Sequence, residues 1–174
     1  MRKVILTLTI VLSVFMINAA KAQTTTATAI VNVTLAAVQS IAVTQGTVTI
    51  PFATSADYNT GVTVAQADHL TASSSGQFFI RVKSNADLTG PAAATIPIST
   101  ISLTPTAGTT AAPGSPVYNT IASLSTSDQD LVTSTGGCNA AKFNVSYKAS
   151  GGANYLNKAV GTYTATLTYT IAAL

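Results

Sequence analysis

The sequence predicts an all-β protein, an antiparallel β-sandwich of about nine or ten strands. Apolar and polar residues alternate over many short segments, which is typical of strands with one buried face. Turn-forming Gly, Pro, Ser and Asn residues separate these segments. Glu is absent and charged residues are few, whereas the β-branched residues Thr and Val are abundant. No long stretch has the 3.6-residue apolar period of an amphipathic helix.

The N-terminal residues have the three parts of a secretory signal peptide. Arg2 and Lys3 provide the positive start, 4–20 is largely apolar, and Ala20-Lys21-Ala22 places small residues at a cleavage site before Gln23. A transmembrane anchor is the alternative, but the apolar stretch is short and no basic stop-transfer cluster follows it. We therefore expect a secreted protein, located in the periplasm, at the cell surface or outside the cell.

Cleavage would change the charge of the protein. The whole chain carries eight Lys and Arg residues against five acidic ones, a net charge of +3. Removal of the signal peptide at 1–22 takes away Arg2, Lys3 and Lys21 and leaves five cations against five Asp residues, so the single domain expected at 23–174 is neutral. This composition predicts neither a nucleic-acid partner nor, after cleavage, a membrane partner. A neutral, Thr-rich surface also lacks the repulsion that keeps monomers apart, which suits an assembled layer or fibre.

Most of the predicted strands of the first half are marked by alternation. In the first of them Ala29, Val31, Val33 and Leu35 share one apolar face. The predicted strands span 27–35, 39–44, 47–52, 60–66 and 77–84. A further strand is predicted over 95–103, where Pro97 cannot donate to a ladder and indicates an edge strand or a bulge.

The second half begins with a Pro- and Gly-rich stretch, for which a loop over 104–116 is predicted. Strands are predicted over 117–124, 129–133, 142–149 and 162–171, with turns or loops over 134–139 and 150–157. The last strand alternates most regularly, because every second residue from Thr162 to Thr170 is Thr. Its apolar face comprises Tyr163, Ala165, Leu167, Tyr169 and Ile171. The pattern predicts a half-buried strand with its Thr face in solvent.

Few groups suited to catalysis or metal binding are available. His69 is the only histidine and lies beside Asp68 in a polar stretch, where we expect it to be exposed in a loop. A Ser-His-Asp arrangement is conceivable, but no G-x-S-x-G nucleophile elbow occurs. Asp128 and Asp130 would share one face of a strand and suit a hard cation, although a solvated turn is the commoner role for such a pair. We predict no cofactor, no metal and no enzymatic activity.

Cys138 is the only cysteine of the chain, so it cannot form an internal disulfide. It is either a free thiol, which we favour, or it forms a disulfide with another chain. A catalytic role would require His69 to lie next to it in space.

The closing segment Gly161–Ile171 resembles the last strand of several bacterial surface β-sandwiches. These are fimbrial and spore-coat-U-type pilin-like proteins, and the cell-wall-binding WxL domains. The resemblance implies an immunoglobulin-like or pilin-like sandwich and a role at the cell surface. The sequence departs from both families, because it has no Trp, has Tyr169 at the place of the distal WxL tryptophan, and has Ala173 where pilins commonly have a penultimate Tyr. The Cys pair that is frequent in pilins is absent as well.

The likeness to pilins gives a second interpretation of the first predicted strand. If a sandwich lacks one strand, an extended segment of a neighbouring subunit can complete its sheet. Residues 24–35 have the length and alternation of such a donor. From sequence alone we favour the other interpretation, that this segment is the first strand of its own domain, since sequential strands usually pair.

Two classes of function follow from these observations. The first is a structural or adhesive surface subunit, such as a pilin-like subunit of a fibre or coat, whose partner is itself or another surface subunit. The second is a module that binds a cell-wall or matrix glycan through aromatic residues in loop-like regions, namely Tyr58, Tyr118 and Tyr155. Ordinary loop tyrosines are the simpler explanation of these three residues.

Overall fold

The computed structural model describes residues 25–174. The predicted signal peptide at 1–22 and its cleavage site lie outside the described residues. The chain divides into two units, 1–35 and 36–174. In the described part of the first unit, residues 25–35 form no strand and their side chains are exposed.

Residues 36–174 form an all-β sandwich, which confirms the fold class predicted from the alternation. The strands are β1 (Gln39–Val43), β2 (Val62–Ser74), β3 (Phe78–Ser84), β4 (Leu88–Thr89), β5 (Thr95–Ile96), β6 (Ile101–Ala107), β7 (Val117–Tyr118), β8 (Gln129–Ser134), β9 (Cys138–Ala149) and β10 (Leu167–Ala173). One antiparallel sheet has the order β1-β2-β9-β6 and the second has the order β10-β3-β8-β7, and β4 and β5 form a small ribbon.

The core lies between the two sheets and follows the predicted alternation. In β3, Phe78, Ile80 and Val82 are fully buried, whereas the intervening residues are partly exposed. In β9, Phe143 and Val145 are fully buried in the same way. Burial of such side chains stabilises a fold by roughly 1.5–3 kcal/mol each before entropy is counted. Further fully buried side chains are those of Leu70, Leu103, Leu124, Leu131 and Val132.

Two predictions for the first half of the sandwich are wrong. No strand forms over 47–52. A short helix, α1 (Ser55–Thr60), lies after this stretch. It begins with a capping box, in which the side chains of Thr54 and Asp57 each accept a hydrogen bond from the other residue's backbone N–H. Strand β2 runs eight residues beyond its predicted end at Gln66, because a bulge between Gln66 and Leu70, with Asp68 at φ 49°, lets pairing with β9 resume.

Two later predicted strands, 95–103 and 117–124, are interrupted in the structure. The predicted strand 95–103 is broken by a 3₁₀ turn at Ile98–Thr100, and β6 then continues into the predicted loop. Pro105 is tolerated there because β6 is an edge strand. The predicted strand 117–124 is reduced to β7, since Ile121 exchanges backbone hydrogen bonds with Leu103 of the other sheet. Within the described residues, no helix is both long and apolar enough to cross a membrane.

Candidate functional site: a seam between two edge strands

Strand β10 forms one edge of the second sheet and has the predicted alternation. Leu167, Tyr169 and Ile171 are half-buried and pack against the core, whereas Thr168 and Thr170 are exposed. The strand begins at Leu167 rather than at Thr162. The preceding residues turn away from β3, because the N–H of Thr166 donates to the Asn85 side chain and Thr164 pairs with Thr89. Tyr163, predicted to lie in the strand, instead donates from its hydroxyl to the carbonyl of Ala159.

Strands β1 and β10 are the edges of the two sheets on the same side of the sandwich, and they lie against each other there. In the part of the chain that the structure describes, each pairs with a neighbour on one side only. Between them lies an opening, here called the seam, with apolar side chains that contact the core but stay partly exposed. These side chains belong to Ile41, Val48, Ile50, Leu167, Tyr169 and Ile171.

Two cavities lie along the seam. The larger, here called the seam cavity, has a volume of about 400 Å³ and is lined mainly by apolar side chains, including Val48, Ile50 and Leu167. The smaller has a volume of about 210 Å³ and lies at the other end, between Ala37 and Ala173. The core of the sandwich is therefore incompletely covered along this side.

The segment predicted as the first strand, 27–35, forms no strand in the structure. Our preferred interpretation of 27–35 as a strand of its own domain is wrong, since residues 25–35 carry no strand. Ile30, Val31, Val33 and Leu35 are between 78% and 89% exposed. Several apolar side chains of this segment are thus exposed to water, the kind of feature that marks an interaction site.

A buried polar chain lies at the base of the seam cavity. His69 is 1% exposed, so the prediction of an exposed loop histidine is wrong. Its Nδ1 is 2.9 Å from the Gln45 side-chain oxygen, and its Nε2 is 2.6 Å from the Tyr147 hydroxyl. Tyr147 in turn shares a short hydrogen bond with Tyr169 of β10. The four side chains join β2, β9, β10 and the segment after β1, and all four line the cavity.

Burial determines the protonation states of the side chains in this buried polar chain. Removal from water lowers the pKa of His69 below its ordinary value, so the imidazole is neutral at pH 7. Burial also raises the pKa of Tyr147 to about 12 and raises the pKa of Tyr169, so both phenols keep their protons. The base of the cavity is therefore polar but uncharged.

Replacing Tyr147 with Phe is expected to destabilise the sandwich by about 1–3 kcal/mol, because the buried Nε2 of His69 and the Tyr169 hydroxyl would both lose a partner. Urea unfolding measures the change. Tyr163→Phe is the matched control, since its hydroxyl bonds only the exposed carbonyl of Ala159, and we expect a change within about 0.5 kcal/mol. Equal losses in the two variants would contradict this account of the polar chain.

Asp68 does not orient His69. Its carboxylate accepts hydrogen bonds from the backbone N–H and hydroxyl of Thr109, at 2.8 and 2.6 Å, and from the ammonium group of Lys142 at 3.2 Å. These bonds hold the pKa of Asp68 below its usual value. The partner at His69 Nδ1 is an amide, and the partner at Nε2 is a phenol. The Ser-His-Asp arrangement considered from sequence is not assembled around this histidine.

The three tyrosines considered for glycan binding lie in two places. The ring of Tyr155 stacks on Phe52 at 4.6 Å, and its hydroxyl bonds Thr100. Tyr58 contacts the edge of the same Phe52 ring at 5.3 Å. Tyr118 lies in β7 and contacts Phe143 instead. All three side chains are partly buried, and the structure brings only Tyr58 and Tyr155 together.

Asp128 and Asp130 lie on the outer side of the second sheet, where each faces a cation of β3. The distances are 3.4 Å from Asp128 to Lys83 and 2.6 Å from Asp130 to Arg81. These carboxylates are therefore occupied by exposed ion pairs, which contribute little to stability. Among residues 25–174, no group of three or more His, Cys or acidic side chains is close enough to hold a metal ion.

Cys138 is buried at the start of β9, where its thiol donates to the Ala72 carbonyl. Burial raises the pKa of the thiol, which disfavours the reactive thiolate. Among residues 25–174, His69 makes no hydrogen bond to this thiol.

Comparison of this chain with known protein-family models and with curated protein sequences gives no match in either case. The functional conclusion therefore depends on the chemistry of the seam and of the exposed segment.

Proposed function

We propose that this protein is an exported structural subunit of a surface fibre or coat, and that it assembles when residues 27–35 of one copy dock into the seam of another. One observation carries the proposal. The same chain has a segment without strand or helix whose apolar side chains are exposed, and a sandwich with an open apolar seam between two edge strands.

The seam offers what an added strand needs. The outer edges of β1 and β10 present backbone groups that pair with no other strand of residues 25–174, and such edges accept an extended segment readily. Alternate residues of the docked segment would then point between the sheets. Ala29, Val31, Val33 and Leu35 share that periodicity and are apolar.

A second copy is a better source of the docked segment than the same chain. The connector between Leu35 and β1 is Ala36-Ala37-Val38, which contains no Gly, Asn, Asp or Pro. A tight reversal of the chain depends on such residues. The backbone of Val38 is also already bonded to Ser75 at the start of β1. The connector thus lacks the residues that a tight reversal into the seam of the same chain would need.

Docking of this kind is head-to-tail, because the segment and the seam are different surfaces. Head-to-tail contacts that do not close into a ring produce filaments. Burial of Val31, Val33 and Leu35 would contribute roughly 1.5–3 kcal/mol each, offset by the entropy of ordering the segment. The neutral composition of 23–174 opposes such contacts only weakly.

Glycan binding stays the second proposal and has weaker support. Phe52 covers one face of Tyr155, and Tyr118 lies apart from the other two tyrosines. A sugar platform needs an accessible aromatic face, whereas the apolar segment and the seam have no use in a monomeric glycan module.

Sizing and electron microscopy of the purified exported chain test the proposal. We expect fibres or a ladder of oligomers for the intact chain, and a monomer of unchanged fold when residues 24–35 are deleted. An intact chain that stays monomeric at high concentration and sediments with cell walls would contradict the subunit proposal and favour glycan binding.

A further inference from the structure

We propose that docking at the seam is coupled to the protonation of His69, so that acid weakens assembly. This inference rests on the proposed function, because it concerns the effect of the docked segment on the side chains at the base of the seam cavity. It follows from the direction of each hydrogen bond in the buried polar chain.

Gln45 fixes these directions in the neutral state. Its amide nitrogen donates to the carbonyl of Ala67 at 3.1 Å, so its amide oxygen faces Nδ1 of His69 and can only accept. Nδ1 therefore carries the imidazole proton, and the bare Nε2 accepts from the Tyr147 hydroxyl. Since Tyr147 donates its only proton to His69, the Tyr169 hydroxyl donates to the oxygen of Tyr147.

Protonation of His69 reverses the chain. Nε2 then becomes a donor to Tyr147, Tyr147 donates to Tyr169, and the Tyr169 proton needs an acceptor outside the chain. Tyr169 makes no other hydrogen bond among residues 25–174, but it lines the seam cavity. Water in the open cavity can accept this proton. An apolar segment docked over the cavity would exclude that water and supply no side-chain acceptor.

No charged side chain lines the cavity to stabilise an imidazolium, as far as the described residues go. On β2, the carboxylate of Asp68 is bonded to Thr109 and Lys142. On β9, Lys142 forms an ion pair with Asp68, and Lys148 is exposed. Strands β1 and β10 carry no charged residue. The remaining titratable groups facing His69 are the two phenols, which stay neutral.

The sign of the coupling follows from linkage. Burial already lowers the pKa of His69 in the open subunit, and loss of the cavity water lowers it further in the docked state. A docked state that binds fewer protons is favoured at higher pH. The affinity of the seam for the segment is therefore highest at pH values above the pKa of His69 in the open subunit. Below that pKa the affinity falls about tenfold per pH unit, until the pH reaches the pKa of His69 in the docked state.

The test uses the one histidine of the chain as a reporter. In the full exported chain, Val31→Asp and Val33→Asp block self-docking and leave the seam open. A capped synthetic peptide of residues 24–35, which has no ionisable side chain, is then added as the probe. NMR titration of the His69 ring is expected to show a pKa lower by about one unit with the peptide bound. The dissociation constant of the peptide should rise about tenfold as the pH falls through that interval.

The outcomes separate this inference from the proposed function. Peptide that binds without changing the pKa of His69 would overturn the inference and leave the proposed function standing. Peptide that does not bind at any pH would overturn both. His69→Gln should bind the peptide independently of pH between about 5 and 7.5, the range in which a histidine titrates. A His69→Gln subunit with undiminished pH dependence would assign the effect to another group.

Discussion

Replacing both Val31 and Val33 with Asp is expected to abolish self-assembly while the folded subunit is preserved. The two side chains are 84% and 78% exposed in the unassembled chain, so their replacement should change the free energy of unfolding by less than about 0.5 kcal/mol. In the docked state the same positions would face the core, where an unpaired carboxylate costs several kcal/mol. Sedimentation velocity and electron microscopy would show a monomer at concentrations where the unmodified chain forms fibres.

The other face of the segment supplies the matched control. Thr28 and Thr34 alternate with the apolar residues and would point outward from the docked strand. The variant Thr28→Asp, Thr34→Asp adds the same charge to the same segment, and we expect it to keep assembling. If both double variants assemble equally well, or both fail, the effect belongs to net charge or composition and not to a docked strand.

Leucine-to-alanine substitutions should separate stability of the sandwich from assembly. Leu131 of β8 is fully buried, and Leu131→Ala is expected to lower the free energy of unfolding by about 2–5 kcal/mol through the lost contacts and the cavity left behind. Leu35 is 89% exposed, and the same substitution there should leave the unfolding free energy unchanged within about 0.5 kcal/mol. Urea unfolding of both variants below the assembly concentration measures this difference.

Assembly should be weakened by the Leu35 substitution and left unchanged by the Leu131 substitution. Leu35→Ala removes apolar surface that the docked segment would bury, so the critical concentration for fibres is expected to rise. Leu131→Ala leaves the segment and the seam intact, so below its unfolding temperature it should assemble normally. An effect of Leu35→Ala on unfolding as large as that of Leu131→Ala would show that the segment belongs to the core of its own sandwich.

The alternation of single strands was predictable because it depends on neighbouring residues. Strand β3 buries the residues that its period-2 pattern selects, and β10 places Leu167, Tyr169 and Ile171 on one face as expected. The apolar face of 27–35 was visible in the same way. Whether that face is covered by its own domain depends on contacts distant in sequence, and for this reason our preferred interpretation of the segment was wrong.

The polar chain beneath the seam could not be predicted from local pattern. From Gln66 to Leu70 the bulged strand β2 has two more residues than the paired stretch of β9, so the ladder is interrupted there, and His69 and Leu70 are both buried although they are consecutive. The hydrogen-bond partners of His69 lie 24 and 78 residues away along the chain. A period-2 pattern places Tyr169 inward, but it contains no signal that the Tyr147 hydroxyl of the other sheet bonds the Tyr169 hydroxyl and links it to His69.

Hydrogen exchange at the edges of the seam tests the central claim most directly. The open-seam variant with Val31→Asp and Val33→Asp is mixed with the peptide of residues 24–35, and amide exchange is followed by NMR. Docking predicts slower exchange at alternate amides of β10 that point away from β3, or of β1 that point away from β2, because these groups gain a backbone partner. Peptide binding that leaves the amides of both strands unchanged would contradict the account.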